Sequence, residues 1–154
     1  MEKVTKIHLD TIDVYANDLV DYLKAQSALN TDQATILLIE GDLGAGKTTL
    51  TQAIGRILGV KDHIVSPTYV ISRRYPIEHE AYSWNRLIHT DTYRLEHAED
   101  LKKIAYDNDC KNPEYLMIFE WPERVGNYFD AYNVVRIRID MGEKDDERMV
   151  TIID

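Results

Sequence analysis

Gly41-Asp42-Leu43-Gly44-Ala45-Gly46-Lys47-Thr48 fits the pattern G-x-x-x-x-G-K-[ST], a loop whose backbone cradles nucleotide phosphates. At ordinary amino-acid frequencies a chain of this length meets the pattern by accident on the order of 0.005 times, so chance is a poor explanation. The flanks agree with the loop. Thr35-Ile36-Leu37-Leu38-Ile39 is a short β-branched and leucine run before it, and Leu50, Ala53, Ile54 and Ile57 recur at helical spacing after it. Strand, glycine loop and helix in that order predict an α/β fold with a P-loop at its centre.

The residue types predict the chemistry. With glycines in the loop, successive N–H groups face a β-phosphate at the positive end of the following helix. Lys47 reaches the β/γ oxygens as a mobile point charge, and the Thr48 hydroxyl is placed to ligate Mg²⁺. The expected phosphate-binding residues are therefore Gly41, Asp42, Leu43, Gly44, Ala45, Gly46, Lys47, Thr48 and Thr49.

The 154 residues are expected to form one domain, 1–154, large enough for a genuine core. The net charge of −9 argues against unassisted binding to RNA, which needs a basic face. Arg73 and Arg74 form a small basic group, read either as a solvated strand face or as part of a nucleotide-sensing region. No apolar stretch approaches the ~20 residues of a bilayer span and the start leads into no secretory segment, so no membrane and a cytoplasmic location are expected. Cys110 is the only cysteine, which leaves no intramolecular disulfide and no cysteine zinc cage.

Along the chain, Lys3 to Leu9 reads as a strand, and Ile12, Ala16, Leu19, Val20 and Leu23 form the apolar stripe of a helix capped by Asp10 or Thr11. Gly59 closes the helix that follows the loop. Ser66-Pro67-Thr68-Tyr69 leads into a strand-like run to Tyr75. Pro76 to Asn85 reads as a polar, irregular connection, followed by a strand from Arg86 to Asp91 on which His89 and Asp91 project to one side. A helix is expected from Glu96 to Tyr106. Tyr115 to Phe119 is a second buried-looking run, and it ends in Glu120. An apolar strand followed by an acid is the loose Walker B pattern, with a carboxylate at the carboxyl end of a central strand. Val135, Ile137 and Ile139 alternate with arginines before Met149 to Ile153, which predicts an antiparallel edge hairpin beside a central, mostly parallel sheet flanked by helices.

Taken in order and spacing with the glycine loop, Ser66-Pro67-Thr68-Tyr69, His89-Thr90-Asp91-Thr92-Tyr93-Arg94-Leu95 and Phe119-Glu120-Trp121-Pro122-Glu123 closely resemble the TsaE (YjeE) family. The resemblance runs from about Ile7 to Val125. It implies a P-loop ATPase that binds ATP and Mg²⁺ and serves the threonylcarbamoyladenosine modification of tRNA. It also implies the partners TsaD and TsaB, with tRNA met only indirectly through their complex. On the same comparison Lys47 and Asp91 act in catalysis, Asp91 by orienting or activating water. Thr48 and Glu120 hold the metal, and Ser66, Pro67 and Thr68 form a switch that senses the nucleotide. Asp10 to Asp13, with Thr11 foremost, and Arg148 are implied contacts of the nucleotide. The connection from Pro76 to Asn85 is longer than the family's usual form.

From the residues alone, Asp91 has the alternative reading of a strand-end cap or a partner of Arg94, and His89 reads as a structural histidine. Two other functions fit a bare P-loop. One is a small-molecule kinase, against which stands the lack of an evident arginine-rich lid or acceptor domain. The other is an ATP-dependent scaffold in which hydrolysis is incidental.

Overall fold

The structure, a computed structural model, describes residues 2–65, 72–95 and 106–153. These form a seven-stranded sheet in the order β1-β7-β6-β2-β5-β4-β3, the strands being Lys3–His8, Thr35–Gly41, Ser72–Pro76, Arg86–Asp91, Tyr115–Glu120, Val135–Met141 and Glu147–Ile153 from β1 to β7. The four central strands β6, β2, β5 and β4 are parallel, while β3 on one flank and β7 with β1 on the other run antiparallel. The C-terminal hairpin β6–β7 is antiparallel as its alternation predicts. Its outer strand is not the edge, because the N-terminal strand β1 pairs along β7 from Lys3↔Ile152 to His8↔Glu147.

β2 explains its own composition. Its side chains alternate between two apolar cores, Leu37 and Ile39 facing one and Ile36 and Leu38 the other, so both faces are buried. The first core is closed by α1 (Ile12–Leu29) and α2 (Lys47–Ile57), which pack on each other and on the sheet. α1 buries Ile12, Tyr15, Ala16, Leu19, Val20 and Leu23, the predicted stripe with Tyr15 added. The second core is covered by Leu95, Cys110 at the end of α3 (Tyr106–Cys110), and the 3₁₀ turns Pro122–Val125 and Tyr128–Ala131. Each fully buried aliphatic side chain contributes about 1.5–3 kcal/mol relative to exposure, which makes these two layers the main stabilising element.

Thr11 occupies the N-cap position of α1, but its hydroxyl donates to His8 O at 3.3 Å rather than accepting from the helix. Gly59 ends α2 as expected, with φ 75° and its N–H donating to Arg56 O. The connection from Pro76 to Asn85 is less polar than its composition suggests. Ile77 and Trp84 are buried, and Trp84 Nε1 donates to Thr35 Oγ1 at 3.0 Å. Arg74 is ion-paired with Asp109, tying β3 to α3. The expected helix from Glu96 lies outside the described residues up to 105, as do Ser66, Pro67, Thr68 and Tyr69. No helix among the described residues is long and apolar enough to cross a membrane.

Candidate nucleotide site

The loop begins where β2 meets β6. Gly41 pairs with Ile139, and a Cβ at Gly41 would stand 2.7 Å from the Ile139 carbonyl oxygen, so only glycine permits this approach. At the other end Gly46 has φ 109°, a left-handed conformation, and forms the N-cap of α2 without a side-chain cap. The first-turn N–H groups of α2 are thus left for an external acceptor. They open on a cavity of about 200 Å³, walled by Leu43, Gly44, Gly46 and residues 47–49 on one side and by Asp91, Glu120 and Trp121 on the other.

Arg148 braces the loop from behind. Its Nε donates to Ala45 O at 2.8 Å, and its Nη1 donates to the carbonyls of Asp145 and Glu147, each at 2.7 Å. The guanidinium is buried among carbonyls, so it fixes the loop's shape and does not wall the cavity.

Lys47 is only 5% exposed. Its ammonium donates to Gly41 O at 2.6 Å and Asp42 O at 3.0 Å, and sits 4.1 Å from the centre of the Trp121 ring. Burial pushes its pKa below the ordinary lysine value, opposed by the carboxylates of Glu120, Glu123, Asp91 and Asp42. The site therefore holds one cation among four carboxylates, an acidic cluster that suits a further cation beside the phosphates.

The Thr48 hydroxyl lies 3.2 Å from each oxygen of Glu120 and donates to that carboxylate. Glu120 ends β5, opposite Ile39 of β2 and Asp91 of β4, so the parallel register carries both acids to the carboxyl end of the sheet beside the loop. His89, fully buried, bonds Glu120 Oε2 through Nε2. Thr92 fastens the backbone here: its N–H donates to Glu120 O at 3.0 Å, and its hydroxyl to the same oxygen at 2.8 Å and to Trp121 O. Trp121 turns into the left-handed region at φ 60°, which sets its ring over Lys47 and 5.0 Å from that of Tyr93. Such a backbone is uncommon for a bulky residue and persists because its surroundings over-determine it.

The donor set fits magnesium. Thr48 and Glu120 offer hard oxygens within reach of one small ion, Asp91 adds a carboxylate to the same cavity, and Mg²⁺ takes one or two carboxylates with water and phosphate oxygens. Asp91 also caps its strand, accepting from the Tyr93 N–H at 2.8 Å.

Of the residues named from sequence, Leu43, Gly44, Gly46, Lys47, Thr48, Thr49, Asp91 and Glu120 meet around one cavity. Gly41 and Asp42 supply the carbonyls that hold Lys47, and Ala45 the one that holds Arg148. Thr11 stands at the start of α1 and does not wall this cavity; the neighbouring Leu9 packs beside Gly46. Sequence reasoning gave no role to Thr92, although it lies inside the quoted motif. Its signal was a hydroxyl at the first position past a strand end, where such groups bind backbone.

A buried parallel strand running through a glycine loop into a helix, with an acid at the end of the adjacent strand, defines a P-loop α/β protein. The solved structure of Bacillus subtilis YdiB has this fold, superposing over 99% of this chain and 86% of its own with a TM-score of 0.60 at 23% identity. The family model described as "Threonylcarbamoyl adenosine biosynthesis protein TsaE" matches residues 10–150. The chain belongs to the TsaE family. Proteins named tRNA threonylcarbamoyladenosine biosynthesis protein TsaE from Streptomyces coelicolor and Haemophilus influenzae are 37% and 30% identical, over 76% and 81% of this chain and 78% and 73% of their own lengths. The protein of that name from Synechocystis is 40% identical over 65% of this chain, and the match spans 62% of its length.

Proposed function

We propose that this protein is a Mg²⁺-dependent ATPase subunit serving threonylcarbamoyladenosine modification of tRNA in the cytoplasm, through a complex with TsaD and TsaB. The observation that carries the reading is the Thr48–Glu120 pair across a cavity floored by the loop and the first turn of α2. Family membership directs that chemistry to tRNA modification.

On this reading the loop N–H groups hold the β-phosphate, and Lys47 leaves the carbonyls of Gly41 and Asp42 to meet the β/γ oxygens. Thr48 and Glu120 hold a magnesium ion, which when bound neutralises charge on the phosphates. Asp91 orients a water, or accepts its proton, as the water oxygen bonds the γ-phosphorus. The bridging β–γ bond then breaks to release ADP and phosphate. The protein contributes position and electrostatics, so turnover is modest until a partner completes the site. Ser66, Pro67 and Thr68 are the proposed nucleotide-sensing switch, and the net charge of −9 fits a subunit that meets tRNA through its partners.

The test is phosphate release from ATP without any acceptor, with and without purified TsaD and TsaB. Binding to that pair is measured alongside with an ATP analogue, with ADP and without nucleotide. Acceptor-free release together with nucleotide-dependent binding is expected. Turnover only with a hydroxyl acceptor would favour a kinase. Tight binding to bare tRNA with no affinity for TsaD–TsaB would overturn the assignment.

A further inference from the structure

We propose that His89 is a positioning residue for the metal-binding carboxylate: its Nε2–H holds Glu120 so that both carboxylate oxygens stand over the Thr48 hydroxyl. The inference rests on the assignment of the metal to Thr48 and Glu120 proposed above.

His89 lies on β4, paired in register with Ile118 of β5, two residues before Glu120. It is fully buried and does not wall the nucleotide cavity, so it touches no ligand and acts only through its neighbour. Its Nε2 bonds Oε2 of Glu120, whose two oxygens each stand 3.2 Å from Thr48 Oγ1. An ionised carboxylate accepts and cannot donate, so this contact places a proton on Nε2. The other ring nitrogen, Nδ1, is enclosed without a hydrogen-bond partner among the described residues. A buried polar atom with no partner is costly, and an aliphatic side chain like those of Leu87 and Ile88 beside it would avoid that cost. Among the described residues, what the imidazole supplies is its bond to Glu120.

A glutamate turns about three side-chain bonds, and freezing its carboxylate before the ion arrives removes that freedom from the cost of binding. Thr92 fixes the same residue's backbone through Glu120 O, so His89 fixes the part that Thr92 cannot reach. Loss of a hydrogen bond to a ligating group commonly lowers metal affinity 10–100-fold, roughly the effect expected here.

The experiment titrates Mg²⁺ into the full-length protein with a non-hydrolysable ATP analogue, comparing wild type, Glu120→Gln, His89→Leu and His89→Gln, each checked for folding by thermal melt. His89→Leu should raise the Mg²⁺ concentration for half-maximal nucleotide binding roughly tenfold or more, and leave affinity in EDTA unchanged. His89→Gln, whose amide N–H reaches about as far as Nε2, should restore most of the difference. If Glu120→Gln leaves the Mg²⁺ requirement unaltered, the metal assignment itself falls and takes this inference with it. If Glu120→Gln shifts the requirement but a folded His89→Leu does not, the metal assignment stands and the role of His89 is overturned. Equal loss in both His89 variants would mean packing rather than a donated bond, and also overturns it. Should His89→Leu not fold, the imidazole nitrogen shifts of the wild-type protein decide: a protonated Nε2 supports the proposal and a bare Nε2 refutes it.

Discussion

Replacing Lys47 by methionine separates what this side chain does for the fold from what it does for phosphate. The ammonium makes two bonds, to Gly41 O at 2.6 Å and to Asp42 O at 3.0 Å, and charge-assisted bonds are each worth about 1.5–3 kcal/mol net. That suggests a large loss, but two opposing effects are visible. Both acceptors belong to residues that solvent reaches, so water takes the place of the ammonium. Burial also drives the lysine pKa down despite four nearby carboxylates, which means that the folded protein holds this charge at a net cost. The methionine stem keeps its contact with the Trp121 ring. The fold should therefore change in stability by no more than about 1 kcal/mol. Transition-state stabilisation should fall by roughly 3 kcal/mol, a rate loss on the order of a hundredfold, because one preorganised donor to the developing charge is gone. Urea denaturation gives the first quantity, and steady-state phosphate release at saturating ATP and Mg²⁺ the second. Wild-type phosphate release from folded Lys47→Met would falsify the role assigned to Lys47. A stability loss above about 3 kcal/mol would show that its bonds to the loop carbonyls hold the fold.

Glu120→Gln should weaken Mg²⁺-dependent ATP binding more than Asp91→Asn does, while Asp91→Asn should fall chiefly in turnover; calorimetric titration with and without Mg²⁺ separates them, and an inverted order would exchange the two roles. Gly41→Ala forces a Cβ to 2.7 Å from Ile139 O and should lower stability by about 2–5 kcal/mol through backbone strain and separation of β2 from β6, so an unshifted melting temperature would contradict the close approach. Tyr15 has its pKa raised to about 12 by burial and then by Asp18. Because the folded value lies above that of the unfolded chain, its contribution is complete below about pH 10 and is lost as the pH rises toward 12, by as much as ~3 kcal/mol. Urea midpoints of Tyr15→Phe and wild type at about pH 9 and about pH 11.5 should show a smaller fall in the variant, and parallel falls would remove Tyr15 as the cause.

The sequence by itself determined the elements whose signal is local. The run into Gly41, the loop and α2 are contiguous, and their periodicity and turn chemistry need no distant residue to be read. Arg86 to Asp91 and Tyr115 to Glu120 were legible as strands ending in acids for the same reason. The tertiary structure alone decided that β5 lies between β2 and β4, which brings Glu120 within 3.2 Å of Thr48 and opposite Asp91. It also decided that β1 covers the C-terminal hairpin, since the order of strands follows from which faces pack together and not from any one strand's pattern. Arg148 shows the same limit from the other side. The resemblance implies a nucleotide contact for Arg148, and only the fold shows its guanidinium bonded to the carbonyls of Ala45, Asp145 and Glu147. His89 and Thr92 take their roles from groups 31 and 28 residues away, a separation across which composition and periodicity carry no information about contact.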